Sequence, residues 1–121
     1  MERAKNYFDG MWSVGTAQPG ICINPANGEH AAQFSEASLD DALTAIGAAR
    51  HAFDHGAWSR SPRLRESVLL EFAANLQARA PEIERWLVTL NGKLTREARG
   101  EIATAVSELR FYAGLARNLW G

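Results

Sequence analysis

Ser38-Leu39-Asp40-Asp41-Ala42-Leu43-Thr44-Ala45-Ile46-Gly47-Ala48-Ala49-Arg50-His51-Ala52-Phe53 is where the apolar spacing of the chain changes. Leu39, Leu43, Ile46, Ala49 and Phe53 recur three or four residues apart, so they fall on one stripe of an α-helix rather than on alternate faces of a strand. Ser38 reads as the N-cap, Asp41 stands three residues on at the capping-box position, and Gly56 ends the helix.

Upstream of that boundary the period is two and turn residues are dense. Tyr7-Phe8 and Met11-Trp12 flank Asp9-Gly10, a dipeptide that tolerates the positive φ angles of a tight hairpin turn. A Gly/Pro-containing link from Gly15 to Gly20 leads to Ile21-Cys22-Ile23, a short apolar run stopped by Asn24-Pro25-Ala26-Asn27-Gly28 and followed by an extended stretch to Phe34. Residues 1–36 are therefore expected to form two short β-hairpins.

Downstream, residues 38–121 are expected to be helical. Ser61-Pro62 starts a second helix, because proline at N1 gives up an N–H that has no partner there; Leu64, Val68, Leu69, Phe72 and Leu76 form its expected buried face. Pro81 breaks or restarts it. Ile83, Leu87 and Leu90 mark a third helix, which Asn91-Gly92 terminates with a left-handed cap. Thr95 reads as the cap of a fourth, whose apolar face comprises Ile102, Val106, Leu109, Tyr112, Ala113, Ala116 and Leu119, running nearly to Gly121. This gives about four α-helices. The first hairpin and the last helix find no obvious partner within so short a chain, and a lone two-stranded ribbon is marginal in water.

The whole chain has 121 residues, enough for one compact domain, with 46% hydrophobic and 22% charged residues, which argues against disorder. Thirteen basic against 14 acidic side chains give a net charge of -1, leaving no positive excess for nucleic acid or anionic lipid. Met1 to Phe8 carries charges without an apolar run, so it fits neither a signal peptide nor a membrane anchor, and a cytoplasmic location is expected. With Cys22 the only cysteine, no internal disulfide and no cysteine-based zinc cluster can form within one chain.

Three stretches together resemble the aldehyde dehydrogenase superfamily: Ile23-Asn24-Pro25-Ala26-Asn27-Gly28-Glu29; Ala48-Ala49-Arg50-His51-Ala52-Phe53 with Trp58-Ser59; and Asn91-Gly92-Lys93 followed by Glu97-Ala98-Arg99. Their order and spacing also match. Arg110-Phe111-Tyr112-Ala113-Gly114-Leu115-Ala116 looks like the family's helix immediately before its cofactor-binding core. The resemblance implies an α/β family fold of which this chain is the N-terminal part, its helices packing on a Rossmann-like cofactor domain. It also implies an oxidoreductase acting on an aldehyde substrate with NAD or NADP. In such an enzyme a cysteine thiolate attacks the aldehyde, hydride passes to the nicotinamide, and a glutamate-activated water cleaves the thioester. The resemblance places all of those groups, together with the nucleotide-binding core, the catalytic domain and an oligomerisation arm, outside residues 1–121.

Several residues invite a functional reading. Cys22 lies in a short apolar strand, with no helix N-terminus or cation adjoining it in sequence, and reads as a packing residue rather than the nucleophile. His51 and His55 stand four apart on one helix, but the zincin pattern needs glutamate where Ala52 stands, so they read as polar-face residues near a helix C-terminus. Glu97 and Glu101 share that spacing, yet Lys93, Arg96 and Arg99 are close by, which makes a solvated, charge-laced helix face. Trp12, Trp58, Trp86 and Trp120 are not interleaved with basic residues and read as packing residues. Some family members hold a monovalent cation near the Asn-Pro turn with help from an acidic residue before the Gly-Lys pair. Leu90-Asn91 stand there in this chain, so no ion site is carried over, and Leu94 replaces the family's frequent proline.

The expectation is thus an N-terminal segment with no catalytic, cofactor-binding or metal-binding residue of its own. As an intact enzyme it would be a homo-oligomer without nucleic-acid or membrane partners. The alternative is a stand-alone helical interaction module of the same family that uses its exposed stripes to bind a partner.

Overall fold

Asp9 and Gly10 adopt φ angles of 52° and 74°, which turns the chain between strands β2 (Asn6–Phe8) and β3 (Met11–Ser13). The computed structural model describes residues 3–118. The two strands pair antiparallel, Tyr7 opposite Trp12, and those rings meet with centroids 5.0 Å apart. Strand β4 (Gly20–Ile23) pairs antiparallel with β5 (His30–Phe34), with an irregularity between Cys22 and Ile23. In the connecting turn the Asn24 side chain accepts from the Ala26 N–H, and Gly28, at φ 74°, donates to the Asn24 carbonyl. Both expected hairpins form. A strand without a sequence signal joins the second: β1 (Arg3–Ala4) runs parallel to β5, giving the order β1-β5-β4.

Helix α1 (Leu39–His55) starts with the full capping box between Ser38 and Asp41 and ends at Gly56. It is followed by α2 (Pro62–Ala78), α3 (Ala80–Asn91) and α4 (Thr95–Leu115). The chain divides into two compact units between Gly56 and Ala57, so α1 groups with the strands rather than with the later helices.

In the first unit the ribbon has a partner after all. Strand β2 contacts α1, and Tyr7, Phe8 and Gly10 line a groove against Ala45, Ala48, Ala49 and Ala52. Small side chains let the ribbon backbone approach the helix. The larger residues of the expected stripe therefore turn away from it: Leu39, Leu43, Ile46 and Phe53 are all exposed, and no α1 residue is fully buried.

In the second unit α4 packs on both α2 and α3. Its buried residues Ala98, Ile102, Val106 and Ala113, with half-buried Leu109 between them and buried Ala116 just past its end, follow a three-or-four spacing that forms the core. Most of the stripe expected to lack a partner is thus covered within the chain. Tyr112 is the exception, exposed beside Phe111, and the helix ends at Leu115 instead of running nearly to Gly121; Leu119 and Trp120 lie outside the described residues.

α2 also differs from expectation: Ala73 is buried and Leu69 and Leu76 half-buried, whereas Leu64, Val68 and Phe72 are exposed. Two apolar stripes run along this helix, and α4 selects the one carrying the small Ala73. Glu66 pairs with Arg117 at 3.3 Å and Gln77 accepts from Arg110 at 2.7 Å, so α2 and α4 run antiparallel.

The remaining helix ends follow local chemistry with one correction. Arg79 closes α2 and opens α3, placing Pro81 in the first turn of α3, and Gly92 caps α3 in the left-handed region at φ 66°. Thr95 is not the cap of α4. Helical geometry begins at Thr95 itself, so its hydroxyl does not fold back over the first turn, and extended Leu94 precedes it with no side-chain cap.

Candidate functional site

Residues that could carry chemistry are dispersed over both units. Cys22 sits on β4 opposite Ala32 and is half-buried on the same strand face as Gly20. Phe34 lies across that glycine, since a Cβ on Gly20 would fall 2.0 Å from its ring. The thiol's surroundings are those of a small sheet position.

His51 and His55 stack with ring centroids 4.3 Å apart, and His55 Nδ1 lies 3.1 Å from the His51 carbonyl oxygen. That nitrogen is engaged with backbone one helical turn back. Among the described residues no three His, Cys, Asp or Glu side chains are grouped to hold a metal ion.

Glu97 and Glu101 start α4 on a face laced with charge. Lys93 pairs with Glu101 across the start of the helix rather than with Glu97, and Arg99 donates to Glu84 of α3 at 2.8 Å. The arrangement ties helices together through exposed ion pairs. Trp12 and Trp58 are exposed, as is Trp86 on α3; Trp120 lies outside the described residues.

The most strongly perturbed group is Asp41. Its carboxylate accepts from the Thr16 hydroxyl at 2.6 Å, the Thr16 N–H at 2.9 Å and the Ser38 N–H at 2.9 Å. These donors, the Thr16 hydroxyl foremost, hold it well below the usual carboxylate range. Asp41 is thereby fixed as an anion at a helix start, the opposite of a group poised to exchange protons near neutrality. Sequence reading identified Ser38 and Asp41 but missed Thr16, which is distant in the chain and carries no local signal.

Among the described residues the glycines at positive φ are Gly10 in a hairpin turn, Gly28 in a loop and Gly92 at a helix C-terminus. None opens a helix after a strand, the geometry that cradles a pyrophosphate. Among the described residues no helix is long and apolar enough to cross a membrane.

Comparison with known proteins places this architecture. Residues 12–121 match the family model described as the aldehyde dehydrogenase family. The chain is 34% identical, over its full length and 25% of the relative's, to (Z)-2-((N-methylformamido)methylene)-5-hydroxybutyrolactone dehydrogenase of Acinetobacter baylyi. It is 35% identical to betaine aldehyde dehydrogenase of Bacillus subtilis, over 91% of this chain and 23% of that one. The crystal structure of an NAD-dependent aldehyde dehydrogenase from Sinorhizobium meliloti superposes with a TM-score of 0.94 at 32% identity, covering 99% of this chain and 24% of that one. The chain thus spans about a quarter of the length of the relatives it matches. With its small strands and four helices reproduced so closely, the chain belongs to the aldehyde dehydrogenase family and corresponds to the N-terminal portion of that fold.

Proposed function

We propose that these residues form a structural N-terminal layer of an aldehyde dehydrogenase. Its intact form oxidises an aldehyde to a carboxylic acid with NAD or NADP through a cysteine thioester. In this reading the nucleotide-binding core, the nucleophile and the water-activating glutamate lie in other parts of the fold, and residues 1–121 contribute no catalytic, cofactor-binding or metal-binding side chain. The hairpins and helices pack on the cofactor domain and on neighbouring subunits of a cytoplasmic homo-oligomer.

The observation that carries this is the match of nearly the whole chain to about a quarter of a dehydrogenase subunit. Exposed apolar side chains on α1 and α2, namely Leu43, Ile46, Val68 and Phe72, support it, because they are surfaces suited to further burial.

The same exposed stripe on α1 favours a second reading, a stand-alone interaction module without enzymatic activity that binds a partner such as a dehydrogenase subunit. Intact mass in the native source separates the two. A longer polypeptide continuing past Gly121 supports the structural layer, and a natural product of 121 residues supports the module.

A further inference from the structure

Where the end of α2 and the start of α3 meet α4, a trough of about 270 Å³ opens on the surface of the second unit. Arg99, Ala103, Val106 and Arg110 recur three or four residues apart, so one stripe of α4 runs along the trough. At 1.5 Å per residue its two arginines stand about 16 Å apart along the helix, one towards each end. Ile102 and Val106, 6% and 5% exposed, form an apolar floor. Ala80 and Ala103 line the trough as well, and side chains of a single methyl group leave room above that floor.

The two ends differ in charge. At one, Arg99 Nε donates to Glu84 at 2.8 Å, a matched pair of opposite charges. At the other, Arg110 Nη2 donates to the neutral Gln77 Oε1 at 2.7 Å, and among the described residues Arg110 pairs with no carboxylate. A guanidinium carries five N–H donors in a planar fork, of which the bond to Gln77 uses one. Gln77 spends its oxygen on that bond and keeps its amide N–H groups for donation. Two arginines against one glutamate leave the lining with a single positive charge, located at the Arg110 end.

We propose that this trough binds a small apolar monocarboxylate, with the carboxylate on Arg110 and Gln77 and the hydrocarbon body over Ile102, Ala103 and Val106. The planar fork of Arg110 matches the two oxygens of a carboxylate. Glu84 opposes a second negative charge, which disfavours phosphate, and the apolar floor disfavours a ligand that is polar throughout. The volume lies just under the roughly 300 Å³ at which sites for drug-sized ligands begin, so the body is a single ring or a short chain.

The test titrates the whole, isotopically labelled chain with benzoate and, separately, with benzyl alcohol, acetate and inorganic phosphate at matched ionic strength. Benzoate should shift the backbone amides of Ala80, Ala103 and Val106 saturably. Benzyl alcohol keeps the ring and acetate keeps the charge; each should bind at least about tenfold more weakly, and phosphate should give no saturable shift. Arg110→Gln, at an exposed position, should keep the circular-dichroism spectrum and weaken benzoate by about tenfold. Ala103→Trp should remove the response by filling the trough. The proposal is overturned without any variant if benzoate gives no saturable shift, if benzyl alcohol binds as well, or if the shifts fall on the exposed stripe of α1. An Arg110→Gln chain that binds benzoate as the parent does overturns it too.

Discussion

Thr16 donates both its hydroxyl, at 2.6 Å, and its backbone N–H, at 2.9 Å, to a single oxygen of Asp41. The Asp41 N–H in turn donates to Ser38 Oγ at 3.2 Å, so the link after the first hairpin is locked onto the first turn of α1. The cap thereby joins two segments 25 residues apart instead of only terminating a helix.

A pH dependence follows from Asp41. Its carboxyl is more acidic in the folded chain than in the unfolded one, so the unfolded state binds more protons as pH falls. The stabilisation is fully present above the ordinary carboxylate value of 3.8 and is lost as pH drops below it towards the folded value. Asp41→Asn should flatten the acid limb of a melting-temperature profile. Removing the other half of the box with Ser38→Ala should cost about 1 kcal/mol in urea unfolding at neutral pH. An unchanged acid limb in Asp41→Asn would contradict the assignment.

The two apolar stripes that sequence periodicity treats alike should differ in weight. Ile102, 6% exposed in the α4 core, should cost about 2–4 kcal/mol on substitution by alanine. Ile46, 65% exposed on α1, should stay within about 0.5 kcal/mol. Equal losses in chemical denaturation would mean that α1's stripe is covered in solution.

Gly15 is required for space. A Cβ there would approach the Glu36 carbonyl oxygen to 1.9 Å, and that atom is backbone and cannot swing aside. Gly15→Ala should lose about 1–3 kcal/mol of stability, measured by urea unfolding, as expected for overpacking. Gly47→Ala, where nothing lies within 4 Å, is the control and should be neutral or stabilising.

Much of the local structure was legible because its determinants are neighbours in sequence. Asp9-Gly10, the Ser38–Asp41 box, Ser61-Pro62 and Gly92 each act over a few residues, and the turn or helix end formed where their chemistry requires. Thr95 failed by one position because either it or Leu94 could have been the last extended residue. What stayed illegible depends on partners far along the chain. Strand β1 is two residues long and exists only by pairing with β5, and nothing within α2 distinguishes its Ala73 stripe from its Phe72 stripe.

Exposed apolar surface should make itself felt in solution. Leu39, Leu43 and Ile46 stand out from α1, so the chain should bind a hydrophobic dye or self-associate. Ile46→Glu should reduce both effects without altering the circular-dichroism spectrum. A monodisperse monomer that leaves the dye unbound, seen by light scattering and fluorescence, would count against that surface.

Under the proposed structural role, this N-terminal portion of the dehydrogenase holds neither cofactor nor nucleophile. Calorimetric titration of NAD into the 121-residue chain tests it most directly. Only heats of dilution are expected, since no described glycine at positive φ opens a helix after a strand to receive a pyrophosphate. Saturable binding with a defined stoichiometry would contradict it.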